Sequence, residues 1–143
     1  MKSFMLSPSG LLLTASAPYT FNLLVAWVGI LLGLLSGTII GLFFHQEGWL
    51  EGYSSWQRRM LRLGHISFFG IALLNFAFVF SASSLEIEAL LWMPSACFAI
   101  AEFAMPFTCF ASAFWKPARF LFPLPVIALL TGTLLFLTEG ILA

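Results

Sequence analysis

The chain has 143 residues, of which 61% are hydrophobic and 8% charged, against roughly 45–50% and 25% in an ordinary soluble domain. Six basic and six acidic side chains cancel, so there is no basic field to hold nucleic acid and no acidic tail to hold a basic partner. The acids include no aspartate, which excludes an aspartyl dyad, an aspartyl-phosphate pump and a Ser-His-Asp triad, and the composition is that of a membrane protein.

In chain order, the first feature is a leader in which Lys2, an apolar patch from Leu11 to Leu13 and Ala15-x-Ala17 faintly imitate a secretory signal. Pro8 and Gly10 interrupt it and Pro18 would follow the cut, so the reading is an ordered or interfacial leader. Residues 21–44 then form an uncharged run of 24, about 36 Å as a helix and enough to cross a hydrocarbon core of roughly 30 Å. Residues 63–80 supply 18 more, residues 89–115 supply 27 with one internal charge, and residues 120–138 supply 19. The prediction is an all-α integral membrane fold, a four-transmembrane-helix bundle forming a single membrane domain over 1–143. Only helices satisfy that much backbone in lipid without the long alternating pattern of a barrel, which is missing here.

The connection between the first two spans carries Trp49, Tyr53, Trp56, Met60 and Leu63 at steps of four, three, four and three. This predicts a short interfacial amphipathic helix over 49–62, its aromatics at headgroup depth and its arginines on phosphates, with Gly48 and Gly52 separating it from the first span. Ser83-x-x-Glu86 reads as a capping box that starts the third helix. Pro94 and Pro106 fall inside that helix and predict a bend; Pro117, Pro123 and Pro125 predict a tight reversal and an irregular start to the fourth span. Arg58, Arg59 and Arg62 lie in one connection and Lys116 and Arg119 in another on the same side, whereas the other side has Lys2 with Glu86, Glu88 and Glu139. The bias predicts cytoplasmic basic loops and both termini on the non-cytoplasmic side.

Gly29, Gly33, Gly37 and Gly41 stand at four-residue spacing, a glycine zipper that allows close helix approach. It reads as a helix-packing surface, within the bundle or toward another protein. His45 continues the stripe and His65 begins the second span. If the two imidazoles meet at one depth they could ligate haem b axially, with the stripe making room for the porphyrin. Met105 sits too deep to pair with His65. A metal site from His45, Glu47 and His65 would need a fourth ligand. Cys97 and Cys109, about 18 Å apart on one helix, cannot pair.

Glu102 falls near the middle of the third span and Asn75 at similar depth on the second, predicting an intramembrane polar pair. A neutral carboxyl can donate to the Asn75 carbonyl and accept from its amide, closing the pair against lipid; the alternative is a proton or ion relay. Ser95, Phe98, Glu102, Met105 and Cys109 share a face expected to point inward. Phe68, Phe69, Phe76, Phe78 and Phe80 are expected in lipid contact and aromatic packing.

No catalytic signature is present: H-E-x-x-H, G-x-S-x-G, the P-loop and a redox C-x-x-C are all missing from the sequence. The segment RLGHISFFG around His65 resembles short bacterial respiratory-membrane proteins in general character, without a motif that defines a family. The expected role is a noncatalytic subunit, stabiliser or assembly partner of a larger membrane complex of respiratory type, its partners the lipid bilayer and other membrane-protein subunits. The competing expectation is a b-haem electron carrier using His45 and His65.

Overall fold

The computed structural model describes residues 11–85, 87 and 91–142, with side chains from Tyr19 onward; Lys2, Pro8, Gly10, Glu86 and Glu88 lie outside the described residues. These residues are all-helical, without a strand among them. Helix α1 runs Leu11–Phe43, α2 Trp56–Ser84, α3 Trp92–Phe114 and α4 Pro123–Leu135, the last entered through a 3-10 segment, Lys116–Leu121, and continued by a π-helical turn, Phe136–Ile141. Four segments are long and apolar enough to cross a membrane: Tyr19–Phe43, Trp56–Ser84, Trp92–Phe114 and Lys116–Ile141.

Helix α2 packs against both α1 and α3, and α4 packs mainly on α3. The aromatic core lies at the end of the bundle away from the arginines. There Phe78 packs its ring 5.1 Å from Phe136 and 5.4 Å from Phe98, and the Tyr19 hydroxyl donates to the Ile87 carbonyl at 3.1 Å. The predicted phenylalanine cluster divides between inside and outside: Phe68 and Phe78 are buried, while Phe80 is 73% exposed. Pro94 sits in the first turn of α3, where the missing N–H costs least, while Pro106 lies inside the helix. Pro123 and Pro125 open α4.

Three expectations are corrected. The leader residues from Leu11 to Ala17 belong to α1 itself. Ser83 lies in the last turn of α2, not ahead of α3; α3 begins at Trp92, and its N-cap Leu91 supplies no side-chain cap.

The third correction concerns 49–62, which does not form a separate interfacial helix. Trp49–Glu51 is a single 3-10 turn in which Leu50 and Glu51 take positive φ, followed by Gly52 at φ 94°. Ser55 then caps a new helix, its Oγ accepting from the Arg58 N–H at 3.2 Å, and nothing between Trp56 and Leu63 breaks the backbone. The aromatic and arginine residues from Trp56 onward are therefore the first turns of α2.

Arg58 is the reason the turn holds. Its side chain is 2% exposed, turned inward and not toward headgroups. Its Nε donates to the Trp49 carbonyl at 2.6 Å, its Nη2 to the Glu47 carbonyl at 3.2 Å and to that of Gln46, and its guanidinium lies 5.2 Å from the Trp49 ring centroid. The cation thus gathers carbonyls beyond the end of α1, where a positive charge also complements the helix dipole. A left-handed non-glycine residue costs roughly 1–2 kcal/mol, and these bonds offset it at Leu50 and Glu51. Arg58→Ala should lower stability by about 2–3 kcal/mol, the loss expected for hydrogen bonds to a charged group. Arg58→Lys should recover less than half, because an ammonium cannot reproduce the planar fork; thermal midpoints in detergent measure both.

Candidate functional site

The register of the helices decides which side chains meet. Helices α1 and α2 run in opposite senses: Gly33 lies against Phe69 and Gly37 against His65, so four residues forward on one helix match four back on the other. Helices α1 and α3 run in the same sense: Asn22 meets Ser95, and Gly29 meets Glu102. Each step is seven residues, two helical turns and about 10 Å on both helices.

Asn22, Asn75, Ser95 and Glu102 are all 0% exposed. Asn22 Nδ2 donates to Asn75 Oδ1 at 2.6 Å and to the Ser95 carbonyl at 3.1 Å, and Ser95 Oγ donates to Asn22 Oδ1. Asn75 Nδ2 donates to Glu102 Oε2 at 3.2 Å, to the Ile71 carbonyl at 3.1 Å and, more weakly, to the Phe98 carbonyl at 3.5 Å. One residue of α1, one of α2 and two of α3 thus form a single polar cluster. The structure therefore brings Asn75 and Glu102 together, but not as the reciprocal pair expected. Asn75 Oδ1 accepts from Asn22, so Glu102 receives the amide N–H alone. Glu102 Oε1 is buried without a hydrogen-bond partner and lies where a methyl group at Gly29 would stand.

The glycine stripe is notched rather than flat. Added methyl groups at Gly29, Gly33 and Gly37 would strike Glu102, the Phe69 ring at 2.8 Å and the His65 ring respectively. Gly41 has open space around it. The first three positions are thus occupied by side chains of the same polypeptide.

The two histidines are not brought together. His65 lies at the level of Gly37, its Nδ1–H donating to the Gly33 carbonyl at 2.9 Å and lying 3.3 Å from Ser36 Oγ. His45 is exposed in the turn beyond α1, eight residues past Gly37. The physical reason is the early start of α2: with Trp56 as its first residue, His65 falls in the third turn, well below the end of α1. Two axial ligands must face one another across an iron, and these do not. Among the described residues no group of three His, Cys or Glu side chains could hold a metal ion, so His45, Glu47 and His65 do not converge either.

Sequence reading missed Asn22. The signal was available: the chain has two asparagines, and an amide inside an otherwise apolar run must find a partner when it leaves water. No protein family, curated protein or solved structure matches this chain.

Chemically the cluster is a lock across three helices, because its amide and hydroxyl donors are spent on one another, on the Glu102 carboxyl and on backbone carbonyls of α2 and α3. Asn75→Leu should cost about 1–2 kcal/mol, the upper range for interhelical hydrogen bonds in membranes, and should combine less than additively with Asn22→Leu. Gly29→Ala should cost about 1–3 kcal/mol by overpacking and much less in a Glu102→Ala background, whereas Gly41→Ala should be neutral or slightly stabilising. Unfolding in mixed micelles, read by near-UV dichroism, gives all of these differences.

Proposed function

We propose that the chain is an integral membrane protein that crosses a bacterial inner membrane four times, with both termini on the non-cytoplasmic side, and serves as a noncatalytic subunit, stabiliser or assembly partner of a larger membrane complex. The observation that carries this reading is how the chain distributes polarity. Asn22, Asn75, Ser95 and Glu102 are spent inside the bundle on holding α1, α2 and α3 together, while the outer faces are apolar. Leu24, Leu42, Leu73, Phe107 and Leu130 are each at least 59% exposed, an exterior suited to lipid and to other apolar helices. Arg59, Lys116 and Arg119 are exposed at one end, as expected of a cytoplasmic face.

The glycine stripe is not the docking surface in this reading, since the chain fills three of its four notches itself. Helix α4 is the better candidate. It packs mainly on α3, and its segment is the least covered of the four, leaving Leu130 and Leu134 outward at 59% and 61% exposure.

Solubilised from its membranes in mild detergent, the full chain should migrate on native gels with other polypeptides. Leu130→Trp with Leu134→Trp should release it while leaving its own fold intact; a chain that migrates alone before any substitution overturns the assembly role. Single cysteines introduced at Arg59 or Lys116, in a Cys97→Ser, Cys109→Ser background, should resist an impermeant maleimide applied from outside. Cysteines at Leu85 or Leu142 should react, and the opposite pattern overturns the orientation.

A further inference from the structure

The chain passes from α3 to α4 without leaving the end of the bundle. Trp92–Phe114 and Lys116–Ile141 are both of spanning length and only Trp115 stands between them, so in the membrane reading the 3-10 segment Lys116–Leu121 lies where hydrocarbon gives way to water. Its conformation sorts its side chains. Residues three apart eclipse in a 3-10 helix, about 6 Å from one another along the axis, which gives the segment three edges. Ala118, 1% exposed, marks the edge turned inward. Pro117 and Phe120 share an apolar edge, with Phe120 73% exposed. Lys116 and Arg119, both exposed, share a cationic edge. The Arg119 guanidinium stands 5.1 Å from the Phe120 ring centroid, so the cationic and apolar edges adjoin.

No carboxylate of this part of the chain answers the two cations. The sequence has no acidic residue between Glu102 and Glu139, and Glu47 and Glu51 belong to the connection between α1 and α2. Arg58 and Arg62 are committed to backbone carbonyls, whereas Lys116 and Arg119 are exposed. Phe114 and Trp115, 72% and 63% exposed, lead into the segment. Aromatic rings of this kind settle at headgroup depth.

We infer that the edge formed by Lys116 and Arg119 binds the phosphate of one anionic phospholipid, with Phe120 against the upper part of its acyl chains. The inference rests on the membrane reading above. A zwitterionic lipid brings a cation of its own beside the pair and leaves the positive excess unmatched, while an anionic headgroup cancels it. A free phosphate meets the cations and gains nothing from Phe120. An acidic protein segment would match the charge, but at this depth its backbone groups would leave water without partners.

The test is native mass spectrometry of the full chain in detergent, titrated with phosphatidylglycerol or with phosphatidylcholine of the same acyl chains. One phosphatidylglycerol should be retained at about tenfold lower lipid concentration than phosphatidylcholine. Lys116→Gln with Arg119→Gln should erase that preference, and Arg59→Gln, an exposed cation of the other connection, should keep it. Lys116→Gln with Pro117→Lys preserves net charge but moves one cation to the Phe120 edge, and should lose most of the preference with unchanged helical dichroism. Equal retention of the two lipids, a preference that survives the double glutamine variant or the charge-preserving variant, or displacement by glycerol 3-phosphate alone would overturn the proposal. So would a copurifying acidic polypeptide released by the double glutamine variant in the absence of any lipid preference. Failure of the membrane reading is distinguishable: wild type and double glutamine variant should both stay in carbonate-washed membranes, and release of both would sink that reading whatever the lipid result.

Discussion

A polar side chain removed from water must find a partner inside the protein, and this constraint organises the bundle. Two asparagines, a serine and a glutamate lie fully buried at the meeting of α1, α2 and α3, and most of their hydrogen bonds run between helices. Association of apolar helices in lipid gains little from hydrophobicity. The amide cluster therefore supplies the specificity that apolar walls lack: sliding α1 by one turn would strand Asn22 without Asn75 and Ser95. The helices can meet in many ways as greasy rods, but the cluster permits few.

Small residues make that meeting possible. The carboxyl of Glu102 reaches into the space at Gly29, the Phe69 ring into that at Gly33 and the His65 ring into that at Gly37. Three of the four glycines in the stripe each receive one large side chain from a neighbouring helix, and the order of recipients follows the opposed sense of α2 and the shared sense of α3. Arg58 closes the same assembly from the other end. By drawing the carbonyls of Gln46, Glu47 and Trp49 onto one cation, it holds a turn with positive φ and sets where α2 begins.

The molecule thus divides its surfaces by chemistry. The interior carries the polar cluster, the lateral faces are apolar, and the described basic residues gather at one end. In the lipid setting proposed here, that division suits a small preformed unit whose open α4 face meets a partner helix.

Sequence alone was enough for the class and number of the helices. Apolar runs of sufficient length have one way to satisfy their backbone in lipid, so four spanning-length helices followed directly, and the depth of Glu102 and Asn75 followed from rise per residue. Helix rotation and the start of α2 did not follow. The spacing of Trp49, Tyr53 and Trp56 is equally compatible with an interfacial helix and with a turn leading into a longer span; Ser55 capping, positive φ at Leu50 and the inward Arg58 chose the second. That choice moved His65 away from His45 and set its ring against Gly37. Likewise, an amide in a long uncharged run signals only that a partner exists. Which partner it finds depends on the rotation of three helices about their axes, a quantity that hydropathy does not encode and that only tertiary packing decides.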